Sequence, residues 1–245
     1  MDNDLKVGLH NSSSDPCNNL LQGPSQRSLE QRYIYFSLES PVHDHLNYSR
    51  LSDFFNWTMT YRRDSDVFAP YGSFIRRSEP TNVEPILKRV SALPKPKLVA
   101  WVVSNCKTNS KREDYVSELQ KHIPVDIFGR CGTKNCPGKM TKSGECGSLL
   151  ERDYMFYLAF ENSKCKDYTT EKFYNALDMD IVPIVMGGSN YSAIAPPGSY
   201  IDVDDYLSPQ ELAKELKRLF NAREEYLNFY VWKAKAEVLQ RWGQM

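Results

Sequence analysis

The chain has 245 residues, 41% of them hydrophobic, and its 31 basic and 31 acidic side chains leave no formal net charge. That length and apolar content support one large or two modest domains with a real core. They exclude wholesale disorder, and the charge balance lacks the basic surplus of a nucleic-acid binder. No run of about 18 apolar residues occurs and the first 30 residues hold no apolar h-region, so neither a membrane-spanning helix nor a signal peptide is expected in the chain as written.

In chain order, residues 1–30 read as a disordered lead-in, because NSSSDPCNNLLQGPSQ is rich in turn formers and has no periodicity. Tyr33–Leu38, YIYFSL, is a short β-rich run that ends at the turn-prone Glu39-Ser40-Pro41. Phe54–Tyr61, FFNWTMTY, is a second strand-like element, followed by RRDSD. Leu93–Lys97, LPKPK, is punctuated by proline and marks the candidate boundary between a first domain at 31–94 and a second at 98–245.

Beyond it the pattern becomes regular. Leu98–Val103, LVAWVV, suits a strand buried on both faces. Ser110 with Glu113 has the spacing of a capping box, opening a helix to about His122 with Tyr115 and Leu119 on one face. Val125–Gly129 is the next strand and Met155–Phe160, MFYLAF, another. Thr169 or Thr170 can cap a helix to about Leu177, and Ile181–Met186, IVPIVM, is a strand ending at Gly187-Gly188. Tyr200–Val203 reads as a further strand. Ser208-Pro209-Gln210-Glu211 starts a helix whose buried face carries Leu212, Leu216 and Leu219, and a last helix is expected from about Glu224. Strands alternating with helices imply an α/β fold with a parallel, Rossmann-like sheet over 98–245.

Six cysteines are present, three of them in CGTKNCPGKMTKSGEC between Cys131 and Cys146. The spacing fits no zinc pattern well, and a disulfide-held loop in an oxidising compartment is the better reading. Sequons at Asn11, Asn47, Asn56 and Asn190 add weak support for the secretory pathway.

In an open α/β sheet, ligands gather where strands run into helix N-termini. Asn162, Tyr168, Glu171 and Lys172 all fall between MFYLAF and the helix near 170–177. A helix N-terminus suits a phosphate, and Lys172 puts a full positive charge where the helix dipole disfavours one. An anion nearby would resolve that conflict, while Glu171 and Tyr168 could address sugar hydroxyls or a base edge. A polar surface loop before a well-capped helix remains the plainer alternative.

FYLAFENSxxxDYxTEKxxNAL at Phe156–Leu177, with VPIVMGGSNY, PPGSYIDVDDY and SPQELAKEL after it, resembles the donor-domain signature of the α1,3-fucosyltransferases, glycosyltransferase family 10. FNWTMTYRRDSDVFAPYG and VAWVVS extend the resemblance, which covers about residues 33–235. The VDIFGRCG…CP loop looks closest to invertebrate members, including those acting on the N-glycan core. The resemblance implies a GT-B-like architecture and inverting transfer of L-fucose from GDP-β-L-fucose, in α1,3 linkage, to the GlcNAc of an N-glycan or N-acetyllactosamine-type glycoprotein acceptor. It implies no required cofactor and no essential divalent metal. Asn162, Tyr168, Glu171 and Lys172 then correspond to ligands of the nucleotide, ribose and diphosphate, Arg112 to a second diphosphate ligand, and Glu39 to the catalytic base. The chemistry is coherent: inversion needs one carboxylate to take the acceptor proton, and cations to stabilise the leaving diphosphate.

Asp64-Ser65-Asp66 has D-x-D form but precedes the boundary, away from the donor segment, and a structural role is expected. Asp202, Asp204 and Asp205 read as a strand-end turn, and His43 and His45 as solvated loop residues. The resemblance implies a Golgi-lumenal enzyme held by a membrane anchor, and no such anchor is expected in the chain as written. The first strands of the acceptor-side domain are also expected to be missing, leaving that domain incomplete. An inactive product that still binds GDP or GDP-fucose is therefore the alternative to an active transferase.

Overall fold

The structure, a computed structural model, describes residues 6–9, 28, 30–44 and 51–240. The chain divides into two units, Met1–Pro70 and Tyr71–Met245.

The first unit holds four parallel strands in chain order: β1 (Lys6–Leu9), β2 (Tyr33–Ser37), β3 (Trp57–Thr60) and β4 (Val67–Phe68). β1 corrects two expectations, since it lies inside the stretch read as a disordered lead-in and supplies a strand upstream of YIYFSL. Four residues, KVGL, are too short for period-two alternation to stand out, and pairing with β2 is what makes them a strand. Residues 10–27 lie outside the described residues. The Asn56 side-chain oxygen accepts from the Tyr33 N–H at 2.9 Å, tying the start of β3 to β2. The D-x-D carboxylates serve local geometry, as expected. Asp64 pairs with Arg62 at 2.6 Å, and Asp66 accepts from both the N–H and the hydroxyl of Thr58 at 2.8 Å.

The second unit is built on five parallel strands, β6 (Lys97–Val102), β7 (Val125–Phe128), β8 (Tyr154–Phe160), β9 (Val182–Met186) and β10 (Ile201–Asp202), in the order β10-β9-β8-β6-β7. All seven residues of β8 are buried, as a central parallel strand covered on both faces requires. Phe156, Leu158 and Phe160 join Val116 and Leu119 of α2 (Arg112–Leu119) and Leu212, Leu216 and Leu219 of α5 (Pro209–Asn221) in one core cluster. Chain order runs from β6 outward to β7 and then returns to β8 on the other side of β6. The carboxyl ends of β6 and β8 are therefore the topological switch point, where such sheets hold ligands. α4 (Glu171–Asp178) follows β8 and α3 (Glu145–Asp153) precedes it. The Ser208 start holds, with its hydroxyl accepting from the Glu211 N–H at 3.3 Å.

Several boundaries differ from the sequence reading. LPKPK is not a hinge: the unit boundary falls after Pro70, α1 (Glu84–Ser91) lies before LPKPK within the second unit, and Lys95 is 2% exposed. Its ammonium donates to the carbonyls of Glu151, Tyr154 and Asp180, so it caps the end of α3. The Ser110–Glu113 capping box does not form. Glu113 accepts instead from the N–H and hydroxyl of Thr108 at 2.7 and 2.8 Å, while the Ser110 hydroxyl donates to the Glu161 carbonyl. The expected last helix is only α6 (Arg223–Leu227), continuing as a 3-10 stretch over Asn228–Ala234. β11 (Ala236–Gln240) then pairs antiparallel with β5 (Gly72–Arg76). NFYVW has weak helix propensity, and AEVLQ becomes a strand only because β5 is there to pair with it. The β5 backbone runs close over α4: a Cβ on Gly72 would come 2.5 Å from the Tyr174 ring.

The cysteine-rich segment is disulfide-held, as expected, although not closed on itself. Cys136 pairs with Cys146, but Cys131 pairs with Cys106, stapling the segment to the loop after β6. Cys165 is unpaired.

Candidate active site

Of the residues singled out between β8 and α4, Glu171 and Lys172 meet in the first turn of α4, at the switch point. β8 ends at Phe160 and the next residue, Glu161, is fully buried. One oxygen of its carboxylate accepts from the Thr170 N–H at 2.8 Å and the Thr170 hydroxyl at 2.9 Å. The other lies 3.2 Å from the Lys172 ammonium. Lys172 also donates to the Thr170 hydroxyl oxygen at 2.7 Å and, at a longer 3.4 Å, to Glu171. Burial opposes the charge on Lys172, but Glu161 and Glu171 outweigh it and raise its pKa. For Glu161 burial dominates and raises the carboxyl, against the pull of Lys172.

Thr170 is the N-cap of α4 by backbone, as the sequence suggested, yet its hydroxyl does not cap the helix. It is committed to Glu161 and Lys172. Glu171 and Lys172 are the first two helical residues, and their N–H groups have no intrahelical acceptor. Glu171 keeps its side chain 40% exposed. Tyr168, by contrast, is 2% exposed, edge-on to Tyr71 at 6.4 Å. Asp167 before it has φ 62°, a left-handed conformation that aspartate tolerates better than most residues. The same loop is clasped by a bridge between Lys166 and Gly188, where a Cβ would sit 2.6 Å from the Cys165 carbonyl. That contact explains why a glycine follows Gly187 at the end of β9.

Arg112 is buried as well, and its guanidinium donates to the Phe160 carbonyl at 2.6 Å and the Asn105 carbonyl at 3.2 Å. It lies over the Trp101 ring at 5.6 Å, and burial works against its charge while Glu161 favours it. The Ser110 N–H donates to the Asn162 carbonyl at 3.3 Å, so the loops after β6 and β8 are joined directly. Two buried polar atoms here have no hydrogen-bond partner, Arg112 Nε and Asn162 Oδ1. Unpaired buried polar atoms are rare enough to mark a place where a ligand or water belongs.

Glu39 belongs to the first unit. It is exposed and stands two residues beyond the carboxyl end of β2. His43 is half-buried with its Nε2 unpaired, which differs from the solvated loop residue expected, and His45 lies outside the described residues. Asp202 and Asp204 form a strand-end turn, the Asp202 carboxylate accepting from the Asp204 N–H at 3.1 Å. Among the described residues no cluster of three or more metal-ligating side chains forms, and no helix is long and apolar enough to cross a membrane.

Glu161 is the residue that sequence reading passed over. Its signal was present: a carboxylate directly after an apolar central strand must be buried, and a buried carboxylate must be partnered.

Comparison with known proteins decides the family. The model of glycosyltransferase family 10 (fucosyltransferase), C-terminal region, matches residues 92–245, and that of the fucosyltransferase N-terminal region matches residues 7–72. The chain belongs to glycosyltransferase family 10. It is 39% identical over 226 residues to alpha-(1,3)-fucosyltransferase C of Drosophila melanogaster, covering 86% of this chain and 52% of that protein. It is 42% identical over 214 residues to glycoprotein 3-alpha-L-fucosyltransferase A of the same organism, covering 86% and 41%. The chain thus spans about half the length of these relatives. A crystal structure of an alpha1,3-fucosyltransferase with GDP-fucose superposes with a TM-score of 0.61 at 18% identity, over 82% of this chain and 66% of that one. The α/β, GT-B-like class expected from the sequence is the class found, with a parallel sheet in each unit.

Proposed function

We propose that the chain carries the donor-binding apparatus of an inverting α1,3-fucosyltransferase, holding GDP-β-L-fucose at the carboxyl ends of β6 and β8 for transfer to GlcNAc of glycoprotein glycans in the Golgi lumen. The observation that carries this reading is Lys172, a cation in the first turn of α4 beside helix N–H groups that have no intrahelical acceptor. Its contact with the exposed Glu171 is its longest, at 3.4 Å, and is the one a phosphate oxygen can replace. A displaced Glu171 becomes available to a ribose hydroxyl. Asn162 and Arg112, each with an unpaired buried atom, supply further polar contacts, and Tyr168 packs the loop that bears Asn162.

In the reaction Glu39 takes the proton of the acceptor hydroxyl as that oxygen attacks the anomeric carbon, and the bond to GDP breaks on the opposite face. Lys172, Arg112 and the α4 N-terminus stabilise the negative charge that develops on the diphosphate. No metal or cofactor is assigned a part, and the acceptor is taken to be an N-glycan or N-acetyllactosamine-type chain.

The test is calorimetry with GDP followed by incubation with GDP-fucose and N-glycan acceptors. Lys172→Ala should weaken GDP binding by about tenfold or more, the loss of a charge-assisted contact. Glu39→Gln should leave GDP affinity intact and abolish transfer; full turnover by that variant would remove Glu39 from the mechanism. Donor binding without transfer by the unmodified chain would restrict its role to binding GDP and GDP-fucose.

A further inference from the structure

The Glu161 carboxylate is neither exposed nor assigned to any ligand, yet it is joined to every element that shapes the donor site. Through its side chain it receives the Thr170 N–H, the Thr170 hydroxyl and the Lys172 ammonium. Through its backbone it receives the Ser110 hydroxyl at 2.7 Å and donates to the Met186 carbonyl at 3.0 Å. Ser110 precedes Arg112 by two residues and Met186 ends β9. Glu161 therefore stands where β8, β9, the loop before α2 and the first turn of α4 meet.

Two features separate this from ordinary core filling. A fully buried carboxylate is strongly unfavourable unless paired, and an apolar residue of similar size would remove that penalty. The pair also fixes a specific geometry: Lys172 has a long, rotamer-rich stem, and Glu161 with the Thr170 hydroxyl holds its ammonium at one point at the entrance of α4. A cation already held in place loses less freedom when an anion arrives.

We infer that Glu161 is a positioning residue for donor binding, acting through Thr170 and Lys172 to hold the Lys172 ammonium in place for the diphosphate. This rests on the reading of Lys172 as a diphosphate ligand. Glu161 does not contact the donor; it supplies the counter-charge and the aim. Thr170 is the relay, since its hydroxyl donates to Glu161 and accepts from Lys172.

The test is a double-mutant cycle on the 245-residue chain, with GDP as the probe and calorimetry as the readout, comparing wild type, Glu161→Gln, Lys172→Met and the double variant. Glu161→Gln should weaken GDP binding by about tenfold in the wild-type background, the size expected for a hydrogen bond to a charged group. In the Lys172→Met background the same change should have little effect, because nothing remains to be positioned. An equal loss in both backgrounds would overturn the inference, since a purely structural role does not depend on Lys172. Should Glu161→Gln not fold, Thr170→Val takes its place, keeping shape and N–H while removing the relay hydroxyl. A several-fold loss of GDP affinity then supports the inference and an unchanged affinity overturns it. Failure of the unmodified chain to bind GDP would instead reject the donor-site reading itself.

Discussion

Asp180 gives the most quantitative handle on what holds the donor helix. It lies between α4 and β9, its side chain 2% exposed, and it accepts from Arg89 at 2.6 and 3.0 Å and from Lys233 at 2.9 Å. Lys233 also donates to the Met179 carbonyl at 2.7 Å, capping the C-terminal end of α4 where its charge also complements the helix dipole. Burial alone would raise the Asp180 carboxyl, but these partners bring it down from 3.8 to about 2. The folded pKa is depressed, so the stabilisation is fully present above the unfolded value and disappears as pH falls through the folded one. The lowering from 3.8 to about 2, at about 1.36 kcal/mol per pKa unit, is worth about 2 kcal/mol, gained above pH ~5 and gone below pH ~1.

Asp180→Asn should therefore be destabilised at neutral pH by at least that amount, since Arg89 and Lys233 lose their counter-charge. The gap to wild type should narrow by about 2 kcal/mol between pH ~5 and pH ~1. Because the chain has two units, the appropriate readout is hydrogen exchange at β8 amides, which reports opening of the second unit alone. A gap that stays constant over that pH range would refute the reasoning, as it would mean that Asp180 is not held ionised by its partners.

Two other outcomes follow from the donor site. Gly188→Ala places a methyl group 2.6 Å from the Cys165 carbonyl, so the loop bearing Tyr168 must shift; GDP binding should weaken severalfold while the melting temperature changes little, read by calorimetry and thermal melts. Cys106→Ser together with Cys131→Ser opens a 25-residue separation and should lower stability by about 3.5 kcal/mol in the loop-entropy account, measured by urea unfolding under non-reducing conditions.

How far the sequence carried the reading varied along the chain. Strands β6, β8 and β9 were legible because each is a nearly continuous apolar run, and α5 because Ser208-Pro209-Gln210-Glu211 is an unambiguous start. The segment from Asn162 to Lys172 was legible as a ligand loop because a polar stretch follows an apolar strand and leads into a cappable helix. The misplaced boundary had the opposite origin. LPKPK carries the local marks of a linker, but Lys95 is drawn inside by three carbonyls remote from it in sequence. β1 and β11 are short and weakly patterned, and they exist because β2 and β5 offer them open edges. The supposed capping box failed because Ser110 and Glu113 found better partners in the Glu161 carbonyl and Thr108.

The sequence by itself determined the order β6, α2, β7, β8, α4, β9 and α5, the polar loop between β8 and α4, and the family to which the chain belongs, because these reside in local periodicity and contiguous motifs. Only the tertiary structure decided the partners of buried charges. Arg112 could be named by resemblance, but its commitment to the Phe160 carbonyl depends on β6 and β8 being neighbours. Glu161 was an unremarked letter between a strand and an asparagine, and became the centre of the site once Thr170 and Lys172 were folded back onto it. Electrostatic pairing depends on distances between residues far apart in the chain, and those distances are set when the strands of the sheet pair.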